Sequence, residues 1–253
     1  SAYTADTSVN DWKLVTPGAT ATFGPVDGGV EMKQVNSKIL NDSNAKNGNF
    51  SPYYNKFLET KTVDEENGTV LTLKELQGVY DIIIDYSYKT ITPANTDSVT
   101  FGGEYFGLYI GQASPDDTEY SFNDAAINLR FRGSDLYVAN SSSNGSNKMS
   151  PKTLGYSDTT VEKHAVKITL DTINKDVTVK LDNNDSKVST GDFFNDIDSF
   201  NAITICAMER LANDSYFRFE KIQVIERESE ASTATHSVVD SLPAKLSDNI
   251  NEV

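Results

Sequence analysis

VEKHAVKITLDTINKDVTVKL, residues 161–181, decides the fold. Val166, Ile168 and Leu170 point one way, with Lys167 and Thr169 pointing the other. Val177, Val179 and Leu181 repeat the pattern, with Thr178 and Lys180 between them. A period of two carried by β-branched residues describes a strand with one dry and one wet face. Between the two runs, Thr172-Ile173-Asn174-Lys175-Asp176 offers side chains that tolerate turn dihedrals. The segment is an antiparallel hairpin, and the expected class is antiparallel β. Lys167, Thr169, Thr178 and Lys180 are expected to face solvent rather than ligand.

Further strands are predicted on both sides of this hairpin. They cover 19–23, 30–35, 69–73, 79–88, 105–110, 126–131, 135–139, 202–208 and 216–226. Turn-rich stretches at 41–49, 93–97, 114–123, 141–151 and 182–190 separate them. Around ten short strands without a fixed repeat predict a sandwich or jelly roll. GDFFNDIDSF, residues 191–200, mixes apolar and capping residues and predicts a short helical turn.

The chain has 253 residues, enough to bury a proper core. Hydrophobic residues make up 38%, which requires long polar loops. The net charge of −15 repels phosphate backbones and anionic lipid surfaces, so nucleic acid is not an expected partner. No run of about 18 apolar residues offers a membrane span, and no membrane insertion is expected. Cys206 is the only cysteine, so no intrachain disulfide forms. In the apolar run AITICAM it reads as a small buried hydrophobe, because a nucleophile needs a nearby base and the histidines are His164 and His236.

The order of elements is similar to that of concanavalin A-like, laminin-G-type jelly rolls. GVYDIIIDY (78–86) looks like their early core strand. YFGLYIG (105–111) followed by 126–132 resembles the central strand pair, 164–181 the late hairpin and 216–225 the closing strand. The likeness covers about residues 10–226 and is one of layout. It implies two curved antiparallel sheets with a concave face free to bind, and either glycan binding or glycan cleavage. The expected domain is residues 1–226, followed by a linker at 227–237. Residues 238–253, with Leu242-Pro243 ahead of Leu246 and Asp248, resemble the opening of small helical repeats that join modules in Gram-positive surface proteins. That likeness implies a secreted or cell-surface location and other modules of the same polypeptide as partners.

Glycoside hydrolysis needs two carboxylates across the scissile bond. Asp81 and Asp85 share a strand face, but four residues at 3.3 Å each set them about 13 Å apart. No E-x-D-x-x-E string is present. A glycoside hydrolase or polysaccharide lyase therefore ranks behind a binding module, and a structural or adhesive protein-binding module stands as the other alternative. Calcium, common in this fold family, is an expected structural ion. Its candidate ligands are Asp116 and Asp117 in PDDTE, and Asp196 and Asp198 in NDID. Zinc has no donor set.

Sugar binding needs aromatic faces and planar polar groups. If Phe106, Leu108 and Ile110 face the core, Tyr105 and Tyr109 face out, with Gly107 leaving room between them. By the same alternation Ile127, Leu129 and Phe131 are buried, and Asn128, Arg130 and Arg132 share the opposite face. Arginine forks bind carboxylates bidentately and stack on rings. These arginines either hold a glycan or pair with neighbouring carboxylates across the sheet. Tyr137 joins either arrangement. Trp12 either stacks on sugar or pins the terminus to the core. FSPYY, residues 50–54, is read as an aromatic, proline-containing loop whose Tyr53 and Tyr54 either rim a cleft or pack over a sheet edge.

Overall fold

A computed structural model of the chain describes residues 2–4, 12–16, 21–35, 52–64, 68–73, 75–91, 105–121, 124–139, 152–156, 162–208, 211–227 and 242–243. Its strands are β1 (Ala2–Thr4), β2 (Trp12–Thr16), β3 (Ala21–Val26), β4 (Gly29–Gln34), β5 (Tyr53–Phe57), β6 (Glu59–Asp64), β7 (Gly68–Leu73), β8 (Val79–Lys89) and β9 (Phe106–Gly111). They continue as β10 (Ala125–Arg132), β11 (Asp135–Ala139), β12 (Lys152–Gly155), β13 (Lys163–Asp171), β14 (Asp176–Leu181), β15 (Val188–Asp192), β16 (Ala202–Ala207), β17 (Tyr216–Arg227) and β18 (Leu242–Pro243).

Two antiparallel sheets form a sandwich. The first has the order β15-β14-β13-β8-β17-β4-β3, with β1 and β18 also pairing with β17. The second is seven-stranded, β12-β11-β10-β9-β16-β5-β2. The β6–β7 hairpin stands apart. The 161–181 segment is the β13–β14 hairpin, with Ile168 opposite Val179 and Leu170 opposite Val177. Its turn is held by Asp171, whose Oδ1 accepts the Ile173 and Asn174 amides at 2.9 Å each. Its alternation works as read: Val166, Ile168, Leu170, Val177, Val179 and Leu181 are all buried in one core between the sheets.

That core is aromatic where the sheets meet. Phe217 of β17 stacks on Tyr86 (centroids 5.4 Å, 6° apart) and lies 4.8 Å from Phe131 of the facing sheet. At the same end, Tyr86 and Tyr156 share a hydroxyl–hydroxyl hydrogen bond of 2.8 Å. His164 Nδ1 meets Asp182 Oδ2 at 2.8 Å beside them.

Two expectations need correction. Residues 191–200 are not helical: Gly191 and Asp192 end β15, and the rest is bends. Phe193, Ile197 and Phe200 are buried at spacings of four and three, but the backbone bonds outward instead of forming a helix. The Phe193 amide donates to Lys175 O, the Phe194 amide to Ala126 O, and Phe200 bridges to Leu76. Tyr53 and Tyr54 are not in a loop but open strand β5. Phe50 and Ser51 lie outside the described residues. The predicted linker falls mostly outside them too, while Leu242 and Pro243 pair with Ile222 and Lys221.

Candidate functional site

The register of the seven-stranded sheet sorts its side chains into two faces. Phe106, Leu108, Ile110, Ile127, Leu129, Phe131, Ile203 and Ile205 belong to the core between the sheets. Asn128 is opposite Tyr109, Tyr109 opposite Thr204, and Thr204 opposite Asn55. The next row runs Tyr137, Arg130, Gly107, Cys206, Tyr53. Directly paired residues point to the same side, so both rows lie on the outer face. Asn128, Arg130, Arg132, Tyr109 and Tyr137 are therefore gathered as the alternation required, and Tyr53 joins them from across the sheet.

The face is more enclosed than its alternation suggested. Tyr109 is 1% exposed and Tyr105 6%. With Val15, Tyr53, Ala125 and Cys206, Tyr109 forms a second apolar cluster, against which Tyr120, Phe194 and Met208 pack. Tyr120 stacks on Tyr53 (4.8 Å, 8°) and lies 4.9 Å from Tyr109. Gly107 makes this possible: a Cβ there would stand 2.7 Å from the Tyr109 hydroxyl and 2.9 Å from Cys206 Sγ. The glycine lets the Tyr109 ring lie back over the strand.

The polar groups of the face divide into satisfied and unsatisfied. Thr204 Oγ1 donates to Asn55 Oδ1 at 2.6 Å, both side chains buried. The Arg130 guanidinium carbon sits 4.9 Å from the Tyr105 ring centroid, a cation–π contact. Asn128 Oδ1 and Arg130 Nε are buried without hydrogen-bond partners among the described residues. Each such orphan costs about 1–3 kcal/mol. Arg132 is half-buried opposite Asp135.

Burial first, then the Cys206 thiol, raises the hydroxyl pKa of Tyr53, Tyr109 and Tyr120. Burial also raises that of Tyr105, and the Arg130 charge only partly offsets it. All four phenols are neutral at pH 7, so none serves there as a phenolate base. Burial lifts the Cys206 thiol from 9.0 to about 11, which removes a thiolate nucleophile, and lifts Tyr80 from 10.0 to about 12. These shifts predict alkaline destabilisation. The unfolded chain loses these protons at lower pH than the folded one, so stability falls as pH rises. The fall begins near pH 9 for the thiol and pH 10 for Tyr80, and runs to about 11 and 12. Urea midpoints at pH 8, 9.5 and 11 check it; a midpoint flat across that range contradicts it.

Two residues of the predicted set lie elsewhere. Trp12 packs against Phe219 (4.9 Å) and Phe23 (5.2 Å), and Tyr54 stacks on Phe23 at 4.5 Å. Trp12 is buried in the core between the sheets and Tyr54, partly buried, packs against that core, because β2 and β5 turn them to that side. Conversely, Tyr120, Asn55, Thr204 and Phe194 were missed. Tyr120 lies in a polar stretch with no periodicity to single it out, and Asn55 and Thr204 acquire meaning only through strand pairing.

The four calcium candidates make bonds to other groups of the chain. Lys175 Nζ lies 2.5 Å from Asp198 Oδ1, 3.6 Å from Asp196 Oδ1 and 2.5 Å from the Ile197 carbonyl. A lysine ammonium thus supplies the positive charge between those carboxylates. Asp117 Oδ2 accepts the Ser114 amide at 2.7 Å, and the Asp116 amide donates to Ser114 Oγ. Among the described residues no three metal-ligating side chains converge. Nor, among them, is any helix long and apolar enough to cross a membrane.

No family model and no curated protein matches the chain. Solved structures do. A sialidase superposes with a TM-score of 0.52 at 9% identity, over 88% of this chain but 18% of its own. The chain thus spans less than a fifth of that protein. Alginate lyase A1-II′, a member of polysaccharide lyase family 7, superposes with a TM-score of 0.51 at 12% identity, over 90% of this chain and 96% of its own. The same lyase in complex with substrate covers 92% of this chain and 95% of its own, again at 0.51 and 12%. At such identities the likeness establishes the fold: a two-sheet antiparallel jelly roll of the concanavalin A-like kind.

Proposed function

We propose that this chain is a non-catalytic glycan-binding module of a larger extracellular protein, and that it binds through the outer face of the seven-stranded sheet. The observation that carries the reading is the pair of buried, unpartnered polar atoms, Asn128 Oδ1 and Arg130 Nε, set among Tyr105, Tyr109 and Tyr137. An acceptor and a donor two residues apart on one strand face match a pair of sugar hydroxyls, each of which donates and accepts. Aromatic rings beside them supply the apolar surface that a pyranose face needs. The jelly-roll fold is compatible with this role but does not select it.

A polysaccharide lyase or glycoside hydrolase is the competing reading, and a structural or adhesive protein-binding module is a third. Against catalysis stands the composition of the face: among its described strand residues the one carboxylate is Asp135, at the hairpin end beside Arg132.

A glycan array, followed by affinity-gel electrophoresis with the selected polysaccharide, tests the proposal. Arg130→Met keeps the aliphatic stem and removes the fork, and is expected to weaken retention about tenfold or more, the cost of one charged hydrogen bond. Retention unchanged in Arg130→Met moves the site elsewhere. Product appearing during incubation with the polysaccharide supports the enzyme reading instead.

A further inference from the structure

Residues 112–121 leave β9 and fold back over the outer face. Their first stem is clamped: the Gln112 amide donates to Asp124 O and the Ala113 amide to Asn201 Oδ1, both at 2.8 Å. Gln112 Nε2 also donates to Ser199 Oγ at 2.8 Å. A small turn follows, in which the Asp117 amide donates to Ser114 O at 3.1 Å and the Ser114 amide to Asp117 Oδ2. Ser114, Pro115, Asp116, Thr118, Glu119 and Ser121 are all exposed. Beyond the turn, the Tyr120 ring lies on the sheet, parallel to Tyr53 and against Tyr109, and Ser121 O accepts the Asp124 amide at 3.4 Å. In the same cluster is Cys206, 0% exposed. On the same face the Asn128 and Arg130 atoms are buried without partners. A segment whose turn is exposed and which packs the Tyr120 ring on the sheet, with few buried apolar contacts of its own, opens at low cost. Buried polar atoms without partners favour that opening.

We infer that the Tyr120 ring is a resident plug: it occupies the stacking position on Tyr53 that a pyranose ring of the ligand takes, and the ligand binds by displacing it. This rests on the glycan-binding reading of the face. The displacing sugar offers a flat C–H face to Tyr53 and neighbouring hydroxyls to Asn128 and Arg130. Closure lowers the apparent affinity by the closed fraction, so removing the plug tightens binding.

Cys206 is the only thiol of the chain and lies in the cluster that Tyr120 closes, so its labelling rate reports opening. The whole chain is treated with a small methanethiosulfonate reagent across a series of low urea concentrations. Labelling of the unmutated protein is expected to be insensitive to urea, the mark of a local opening. Tyr120→Ala is expected to label about tenfold faster, and Tyr120→Phe, which keeps the ring, within about twofold of the parent. Labelling that rises with urea in step with global unfolding overturns the plug, with or without a variant. In the affinity gel, Tyr120→Ala is expected to bind the array-selected glycan about tenfold more tightly. Binding unchanged or weakened overturns the plug while the glycan reading stands. Faster labelling with no glycan bound by either protein overturns the glycan reading, and the sugar-displaced plug with it.

Discussion

Phe217→Ala is expected to destabilise the protein by about 3–5 kcal/mol, the usual cost of deleting a fully buried aromatic ring. Phe217 is 0% exposed and belongs to the first sheet, yet its ring reaches both layers. Tyr86 and Phe219 are its partners in its own sheet, at 5.4 and 4.9 Å. Phe131 and Phe106 of the second sheet are at 4.8 and 6.0 Å. Removing the ring leaves a cavity that neither sheet can close, because each is fixed by its own hydrogen-bond ladder. Phe217→Leu retains most of the volume and is expected to cost less than half as much. Urea-unfolding midpoints measure both. A Phe217→Ala loss under about 1 kcal/mol means that the sheets are held together elsewhere.

Gly111→Ala is the second large effect, and it arises from backbone rather than packing. A Cβ at Gly111 would stand 1.9 Å from the Asp124 carbonyl oxygen and 2.7 Å from Ala125 Cα. Both are main-chain atoms at the start of the neighbouring strand, Asp124 just before it and Ala125 its first residue, where the β9–β10 register shifts between Ala125 and Ile127. No rotamer change relieves such a clash, so the strands must separate. The expected cost is about 3 kcal/mol or more, at the upper end of overpacking. Separation also breaks the Gln112–Asp124 bond and frees the segment that carries Tyr120. Gly24→Ala is the control, since a Cβ there meets nothing within 4 Å, and it is expected to change stability by about 0.5 kcal/mol or less. Equal midpoints for the two variants contradict the steric argument.

The fold was legible wherever one face of a strand is dry. The β13–β14 alternation and the Phe106-Leu108-Ile110 and Ile127-Leu129-Phe131 sets each point to the core as their period of two required. The short strands were not legible. In β12, KTLG, and β15, VSTGD, too few apolar residues recur to show a period, and both are edge strands that need only one partner. Leu242-Pro243 gave no strand signal at all.

The candidate site was half legible. Alternation placed Asn128 and Arg130 on one face, and it placed Tyr109 beside them. What it did not convey is depth: Tyr109 is covered because Tyr120, from a segment without periodicity, folds back onto it. Trp12, which takes the core-pinning arrangement of its two readings, and Tyr54 could not be placed by alternation. Trp12 is the one aromatic of edge strand β2, and in β5 the adjacent Tyr53 and Tyr54 go to opposite faces, so the aromatics alone give neither strand a phase. What the sequence did not convey at Asp196 and Asp198 is their neighbour: Lys175, some twenty residues away in sequence, sits between them.

The central claim is that ligand meets the outer face of the seven-stranded sheet. Backbone amide chemical shifts, followed while the array-selected glycan is titrated into the labelled protein, test it most directly. The account predicts that the largest shifts fall on β9, β10 and β11 around Tyr109, Asn128, Arg130 and Tyr137, and on residues 112–121. Shifts confined to the exposed face of the first sheet, around Lys167, Thr169 and Thr178, would contradict it, as would an array that selects no glycan.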